Sequence, residues 1–402
     1  MKQEYTYTYT YTYIDLFAGC GGLSLGLCNA GWHGFFAVEK NKDAFATLEH
    51  NLIINKKHFS WPDWLKEEAI DIYELIKNYK NELSSLKGKV DLVVGGPPCQ
   101  GFSMAGKRIK NDVRNKLVTA YIEFIDIVRP KMLFLENVHG FTVGFEHNNK
   151  RGKPYSTIVK EKLEKLGYKV NSSIVDVSNY GVPQSRKRFI LVGTIDDIEI
   201  NFFEQLKNLR EDFLRKKGIC QKITIEEAIG DLLKSNGTYK SEKMKNFDFG
   251  KYGKIESKYQ ELMRKNCYEY PDSHRFANHN SETIKIFKEL MLKTNKMMRV
   301  TPSMNLVEGF KKRGVTVLKP NCICPTITSI PDDFIHYCEP RILTVREMAR
   351  IQSFPDWYEF CGKYTTGGEL RKKDVPRYTQ VANAVPPLFA EQVGIILKSM
   401  IK

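Results

Sequence analysis

The sequence lacks the features that would assign it to several large classes. No apolar stretch approaches the roughly 20 residues that a bilayer-spanning helix needs. Its N-terminal run, MKQEYTYTYTYTYIDLFAG, alternates threonine with tyrosine where a secretory leader would carry an apolar block. The chain is therefore expected to be cytoplasmic, with no membrane partner. The nine cysteines, at 20, 28, 99, 220, 267, 322, 324, 338 and 361, are odd in number and scattered, which argues against a disulfide framework. There is no C-x-x-C pair. The closest spacing is Cys322-Ile-Cys324, so the paired ligands of a structural zinc are missing and no metal is expected. His274, His279 and the Cys322/Cys324 pair read as structural side chains.

Acid is also in short supply. Forty-seven Asp and Glu face 62 Lys and Arg, a net charge of +15. That balance points to a polyanion partner, with nucleic acid the commonest for a cytosolic chain, and simple solubility of a lysine-rich protein as the alternative. The hydrophobic share of 42% is ordinary for a globular protein, and 402 residues exceed one ordinary core, so two domains are expected.

What the sequence does have, from Tyr13 to about Gly193, is repeated strand–turn–helix alternation. "YIDLFAGCGG", "HGFFAVEKN", "KVDLVVGGPP", "KMLFLENV" and "RFILVGTI" read as strands. "GGLSLGLCNAG", "KDAFATLEHNL" and "NKLVTAYIEFIDIVRP" read as helices. The pattern predicts an α/β fold: a mostly parallel sheet with helices on both faces and a binding site at the C-terminal strand ends. After about residue 195 the regularity fades. Residues 239–265 carry eight Lys/Arg against four acids, with aromatics interleaved, which suggests a separate basic domain. "RILTVREMARIQSFPDWYEF" reads as a helix with an arginine-rich face ending at Pro355, and "YTQVANAVPPLFAEQVGIILKSM" as a loop followed by an apolar helix. The Thr-Tyr repeat at 5–13 suits an extended lead-in to the first strand and has no functional reading.

Several stretches could carry chemistry. "DLFAGCGGLSLG" (15–26) is a glycine-rich strand-to-helix turn that would let a ligand approach backbone N–H groups. Ser24 stands where the dinucleotide fingerprint would have its third glycine. Glu39, 20 residues after Gly19, could accept both hydroxyls of a ribose, and Asp71 an adenine amino group. Against this stands the reading of a structural turn with two surface acids. In "GGPPCQGFS" (95–103), Cys99 follows a strand and two prolines that fix φ, so its thiol is aimed; a nucleophile fits better than a metal ligand or an apolar filler. The loop after it could close over a substrate. Glu136 of "ENV" ends the fourth strand as a candidate general acid, or else a ribose contact or helix cap. Arg186 and Arg188 of "QSRKR" would share a face if extended, as anion or carbonyl ligands or as solvated charge.

In this order the blocks "DLFAGCGG", Glu39, Asp71, "GGPPCQGFS", "ENV", "GVPQSRKRFILVG", "RILTVREMARIQSFPD" and "QVANAVPP" resemble the DNA (cytosine-5) methyltransferase family. The matching blocks span residue 15 to about 387 and leave about 195–335 unmatched. The resemblance implies a Rossmann-like S-adenosylmethionine-dependent domain over 1–195 and 376–402. It implies a smaller basic target-recognition domain over 196–335 and a hinge region over 336–375. Phe17, Gly19, Gly21, Gly22, Leu23, Glu39, Asp71, Ile72, Pro97, Leu117, Asn383 and Val385 would form the S-adenosylmethionine pocket. Cys99 would attack carbon 6 of a cytosine flipped from a specific double-stranded DNA sequence. Glu136 would face ring nitrogen 3, and Arg188 would touch the base carbonyl with Arg186 in support. The expected protein is a monomeric restriction–modification enzyme, with a cognate endonuclease acting on the same site without being bound to it. A relative acting on transfer RNA and a DNA-binding regulator without catalysis are the alternatives.

Overall fold

Strand β1 (Thr12–Leu16) lies second from one edge of a six-stranded sheet with β2 (His33–Val38), β3 (Leu92–Gly95), β4 (Met132–Val138), β5 (Lys169–Asp176) and β6 (Lys187–Thr194). The computed structural model describes residues 10–98, 115–143, 146–147, 150–195, 201–267, 269–311, 313–366 and 374–401. Spatial order is β2-β1-β3-β4-β6-β5. The first four strands are parallel, and β6 runs antiparallel to both β4 and β5.

Strands buried on both faces need continuous apolar runs, and β3 and β4 have them at 92–94 and 132–135. Successive residues feed opposite cores. Tyr13, Leu92, Val94, Met132 and Phe134 face one cluster, whereas Ile14, Leu16, Val93, Leu133 and Leu135 face the other. The first cluster takes helices α1 (Gly22–Asn29), α6 (Phe202–Lys217) and α11 (Pro387–Met400); the second takes α3 (Ile72–Asn78), α4 (Asn115–Val128) and α5 (Tyr155–Lys165). Helix α2 (Lys42–Leu48) continues as a π-helical stretch to Asn55.

Parallel order puts the ends of β1, β2, β3 and β4 on one edge, with Phe17, Glu39, Gly96 and Glu136 just there. Because β6 is reversed, its first residues, Lys187 and Arg188, arrive at the same edge.

Beyond β6 lie α7 (Ile225–Ile229), α8 (Ser281–Lys293), α9 (Val345–Ile351) and α10 (Arg377–Asn383). Short strands Arg299–Val300, Val315–Val317 and Phe334–Ile335 form a small sheet with a core of its own, including Phe287, Leu290, Val315 and Ile335. By contrast, Phe202, Leu206, Phe213 and Leu214 of α6 join the core that holds α1 and α11.

Two sequence expectations need correction. The arginine-rich helix ends at Ile351, short of Pro355, and its Arg346 and Arg350 are both 0% exposed. Arg350 donates to Asp356 at 2.5 and 2.7 Å and to Asp231 at 3.0 and 3.1 Å, while Arg346 reaches the carbonyls of Asp272, Pro355 and Tyr358. A buried guanidinium persists only when its donors are matched in this way. The stretch expected to be a loop before the last helix is itself helical over Arg377–Asn383. No helix among the described residues is long and apolar enough to cross a membrane.

Candidate active site

The glycine turn between β1 and α1 is built by backbone conformation. Phe17 (φ 62°), Gly19 (φ 57°) and Gly21 (φ 85°) all lie in the left-handed region, where glycine is at ease and phenylalanine is not. The back of the turn is packed: a Cβ on Gly22 would stand 2.4 Å from the Val385 carbonyl oxygen. Its front is open, since a Cβ on Gly19 would meet nothing within 4 Å.

Glu39 is fixed through both oxygens. Gly19 N–H donates to Oε2 at 2.9 Å and Asn41 N–H to Oε1 at 2.7 Å. Burial pushes this carboxyl above its ordinary value, and the N–H donors of Asn41, Gly19 and Lys40 pull it back. Asp71 caps α3 by accepting from Tyr73 N–H at 2.8 Å and pairs with Lys40 at 2.8 Å; Ile72, the next residue, is buried. Two anchored carboxylates, at the ends of β2 and before α3, flank a turn with an open front. That donor set suits a nucleoside: carboxylates accept from ribose hydroxyls and an adenine amine.

Sequence reading passed over a pair beneath this turn. Ser24 Oγ donates to Asp15 Oδ2 at 2.6 Å, both residues being buried. Burial raises the Asp15 carboxyl to about 7, opposed by the Ser24 hydrogen bond. Serine in place of the fingerprint's third glycine was the available signal.

At the next strand end, Gly96 leaves room for an acid: a Cβ there would be 3.3 Å from Glu136 Oε2. Val138 of β4 is in register with Arg188 of β6, and Arg188 Nε donates to Glu136 Oε1 at 2.8 Å. Both side chains are mostly buried, at 11% and 13% exposure. Burial pushes the Arg188 guanidinium below its usual value, and Glu136 counters this. Asn137 Nδ2 donates to the Pro97 carbonyl at 3.2 Å, so the β4 end grips the chain just before Cys99. Cys99 itself and the loop that follows it to residue 114 lie outside the described residues.

Arg186 turns elsewhere. It is buried, and its Nη2 donates to the carbonyls of Ala382 (2.9 Å) and Ala384 (3.4 Å), at the C-terminal end of α10, where the helix dipole favours a cation. Burial, with Arg188 adding to it, lowers its guanidinium well below the usual value. Gln184 and Gln352 join side chain to side chain beside it, and Gln352 donates on to the Val381 and Ala384 carbonyls. Arg186 therefore braces the segment holding Asn383 and Val385, whereas Arg188 alone reaches Glu136. Asn383 is exposed at the end of α10, Leu117 is half-buried on α4, and Leu23 and Val385 are buried. Among the described residues, no group of three or more His, Cys, Asp and Glu side chains could hold a metal ion.

Comparison with known proteins matches this arrangement to a single family. Residues 11–399 match the model of the C-5 cytosine-specific DNA methylase family. The chain is 31% identical over 400 residues to the type II methyltransferase M.DdeI of Desulfomicrobium norvegicum, covering 95% of this chain and 87% of that one. It is 30% identical over 391 residues to M1.HphI of Haemophilus parahaemolyticus, covering 95% and 85%. In fold it is similar to a protein described as a DNA modification methyltransferase encoded within an E. coli prophage, with a TM-score of 0.64 at 22% identity over 98% of this chain and 99% of that one. It is also similar in fold to the S. pombe Dnmt2 methyltransferase, with a TM-score of 0.53 at 14% identity over 98% and 100%. The curated relatives are type II methyltransferases of restriction–modification systems, and the chain belongs to the C-5 cytosine-specific DNA methylase family, whose members transfer a methyl group onto cytosine in DNA.

Proposed function

We propose that the chain methylates carbon 5 of a cytosine flipped out of a specific duplex sequence, through a covalent bond from Cys99 to carbon 6. The observation carrying this reading is the Glu136–Arg188 pair, held at the strand edge beside the open glycine turn. S-adenosylmethionine, when bound, supplies a methyl group on positively charged sulfur. Phe17, the 19–23 turn, Glu39, Asp71, Ile72, Pro97, Leu117, Asn383 and Val385 would hold it, with Glu39 on the ribose and Asp71 on the adenine amine.

Carbon 5 of cytosine is a weak nucleophile. Attack by the Cys99 thiolate on carbon 6 pushes the ring's electrons towards carbon 5 and makes it enamine-like. Glu136 shares a proton at ring nitrogen 3, and Arg188 steadies the carbonyl oxygen, so the negative charge that would build on the ring is met as it forms. After methylation a base takes the carbon 5 proton, the C–H electrons restore the double bond, and the thiolate leaves carbon 6. A thiol cannot reach carbon 6 within a stacked duplex, hence the flipped base.

Target choice is assigned to 196–335, within which the separate core around Phe287, Leu290 and Val315 supports an independent reading module. Its basic residues would meet phosphates and its base-edge contacts would select sequence. A cognate endonuclease cutting the same site is the natural companion of such an enzyme. Bisulfite sequencing of DNA from cells expressing the protein tests the reading, and duplex containing 5-fluorocytosine should trap wild type but not Cys99→Ser as a covalent adduct. Methylation of transfer RNA with none of DNA would sink it.

A further inference from the structure

Most buried or half-buried arginines of this chain have matched acceptors. Arg275 is different. Its guanidinium is sandwiched between two aromatic rings, 4.0 Å from the Phe247 ring centroid and 3.8 Å from that of Tyr364. Its Nε, like those of Arg186 and Arg210, is buried with no hydrogen-bond partner, but Arg275 is the one of the three that is stacked between two rings. Among the described residues no acid pairs with it, and the residue as a whole is half-buried.

The acids that could neutralise it are committed. Asp272 accepts from Arg346, Ser273 and the Phe360 N–H. Asp248 pairs with Lys234 at 3.2 Å and Lys240 at 2.8 Å. A second cation, Arg377, stands 4.4 Å over the same Tyr364 ring and donates to Ser273 Oγ and the Gly362 carbonyl. The backbone is also fixed: Arg275 bridges to Phe249, and Phe276 N–H donates to the Asp248 carbonyl at 2.9 Å.

An uncompensated, partly desolvated guanidinium is costly unless an anion arrives. A stacked guanidinium whose edge is free offers two parallel N–H donors, the geometry that suits a phosphate. Tyr364 is shared with Arg377, which opens α10; the other end of that helix, roughly 10 Å away at 1.5 Å per residue, is braced by Arg186. Resting on the reading that the chain acts on duplex DNA, we propose that Arg275, clamped between Phe247 and Tyr364, is a contact for a backbone phosphate of the substrate, positioning the duplex relative to the Glu136–Arg188 edge.

The test uses the full-length chain, a labelled duplex and a salt titration. Arg275→Gln should weaken duplex binding about tenfold, the value of one charge-assisted hydrogen bond. It should also make the log affinity against log salt slope shallower by about 1, with KM for S-adenosylmethionine unchanged. Arg275→Lys, which keeps the charge but not the planar fork, should restore the slope and not the affinity. Wild-type protein treated with phenylglyoxal, an arginine reagent, should show Arg275 protected by duplex and not by S-adenosylmethionine, a readout that needs no variant to fold. An unchanged slope with a lowered melting temperature would make the stack a structural strut and overturn the proposal. Protection by S-adenosylmethionine alone would assign the anion to the cofactor and overturn it equally.

Discussion

The Arg188 guanidinium meets the Glu136 carboxylate at 2.8 Å across the antiparallel β4–β6 pair, with Gly96 cleared beneath it. Each residue orients the other before any base arrives. Arg188→Ala should therefore lower kcat by about 10²–10³, as loss of one preorganised donor does. Glu136→Gln should lower it by about 10²–10⁴, the range for a positioned proton donor. Single-turnover methylation with saturating duplex measures both. Binding of the duplex should change little, and a loss confined to KM would argue against this placement of charge.

Asp15 makes stability depend on pH. Its folded value of about 7 lies above the ordinary carboxylate value of 3.8, so the folded chain binds the proton more tightly than the unfolded chain. The stability this contributes is fully present below about pH 4 and is lost as pH rises through about 7. Three units correspond to a ceiling of about 4 kcal/mol. Asp15→Asn should flatten the decline between about pH 4 and 7 in urea midpoints, and a variant whose decline matches wild type would place the titration elsewhere.

Arg350 is held by two carboxylates with no solvent access. Arg350→Met leaves Asp231 and Asp356 facing each other's charge, and should cost about 3–5 kcal/mol. Thermal melting reads this directly. Replacement of an exposed pair, such as Lys258 with Glu261, should leave the melting temperature close to wild type.

The two sides of the glycine turn should respond differently. Gly22→Ala drives a methyl into the Val385 carbonyl and should destabilise the fold by about 1–3 kcal/mol. Gly19→Ala meets open space, so its fold cost is limited to the left-handed backbone, about 1–2 kcal/mol. Its methyl enters the front of the turn, and KM for S-adenosylmethionine should rise. Melting curves taken beside initial rates separate the two effects.

The sheet was legible where burial on both faces demanded an unbroken apolar run, as in Leu92-Val93-Val94 and Met132–Leu135. Strand β5 left no such trace, because half of its eight residues are exposed at the sheet edge. Glu39 and Glu136 stood out as acids at strand ends, which is where they lie, whereas Asp71 caps α3. What covers the arginine face of α9 was not legible, because periodicity gives a face but not its partner, and Asp231 is 119 residues from Arg350 in sequence. Arg186 hid in the same way, its acceptor at Ala382 being 196 residues away. Arg275 had no sequence signal, since its clamp joins Phe247 to Tyr364.

Helix α11 lies against α1, with Trp32 Nε1 donating to the Gly394 carbonyl at 2.8 Å and Tyr11 hydroxyl to the Ile401 carbonyl at 3.1 Å. The first strand and the last helix are thus stitched together, and the turn at Gly22 is backed by Val385. During synthesis the N-terminal elements emerge first, yet the turn at Gly22 stays unbraced until the segment around Val385 has been made and packed behind it.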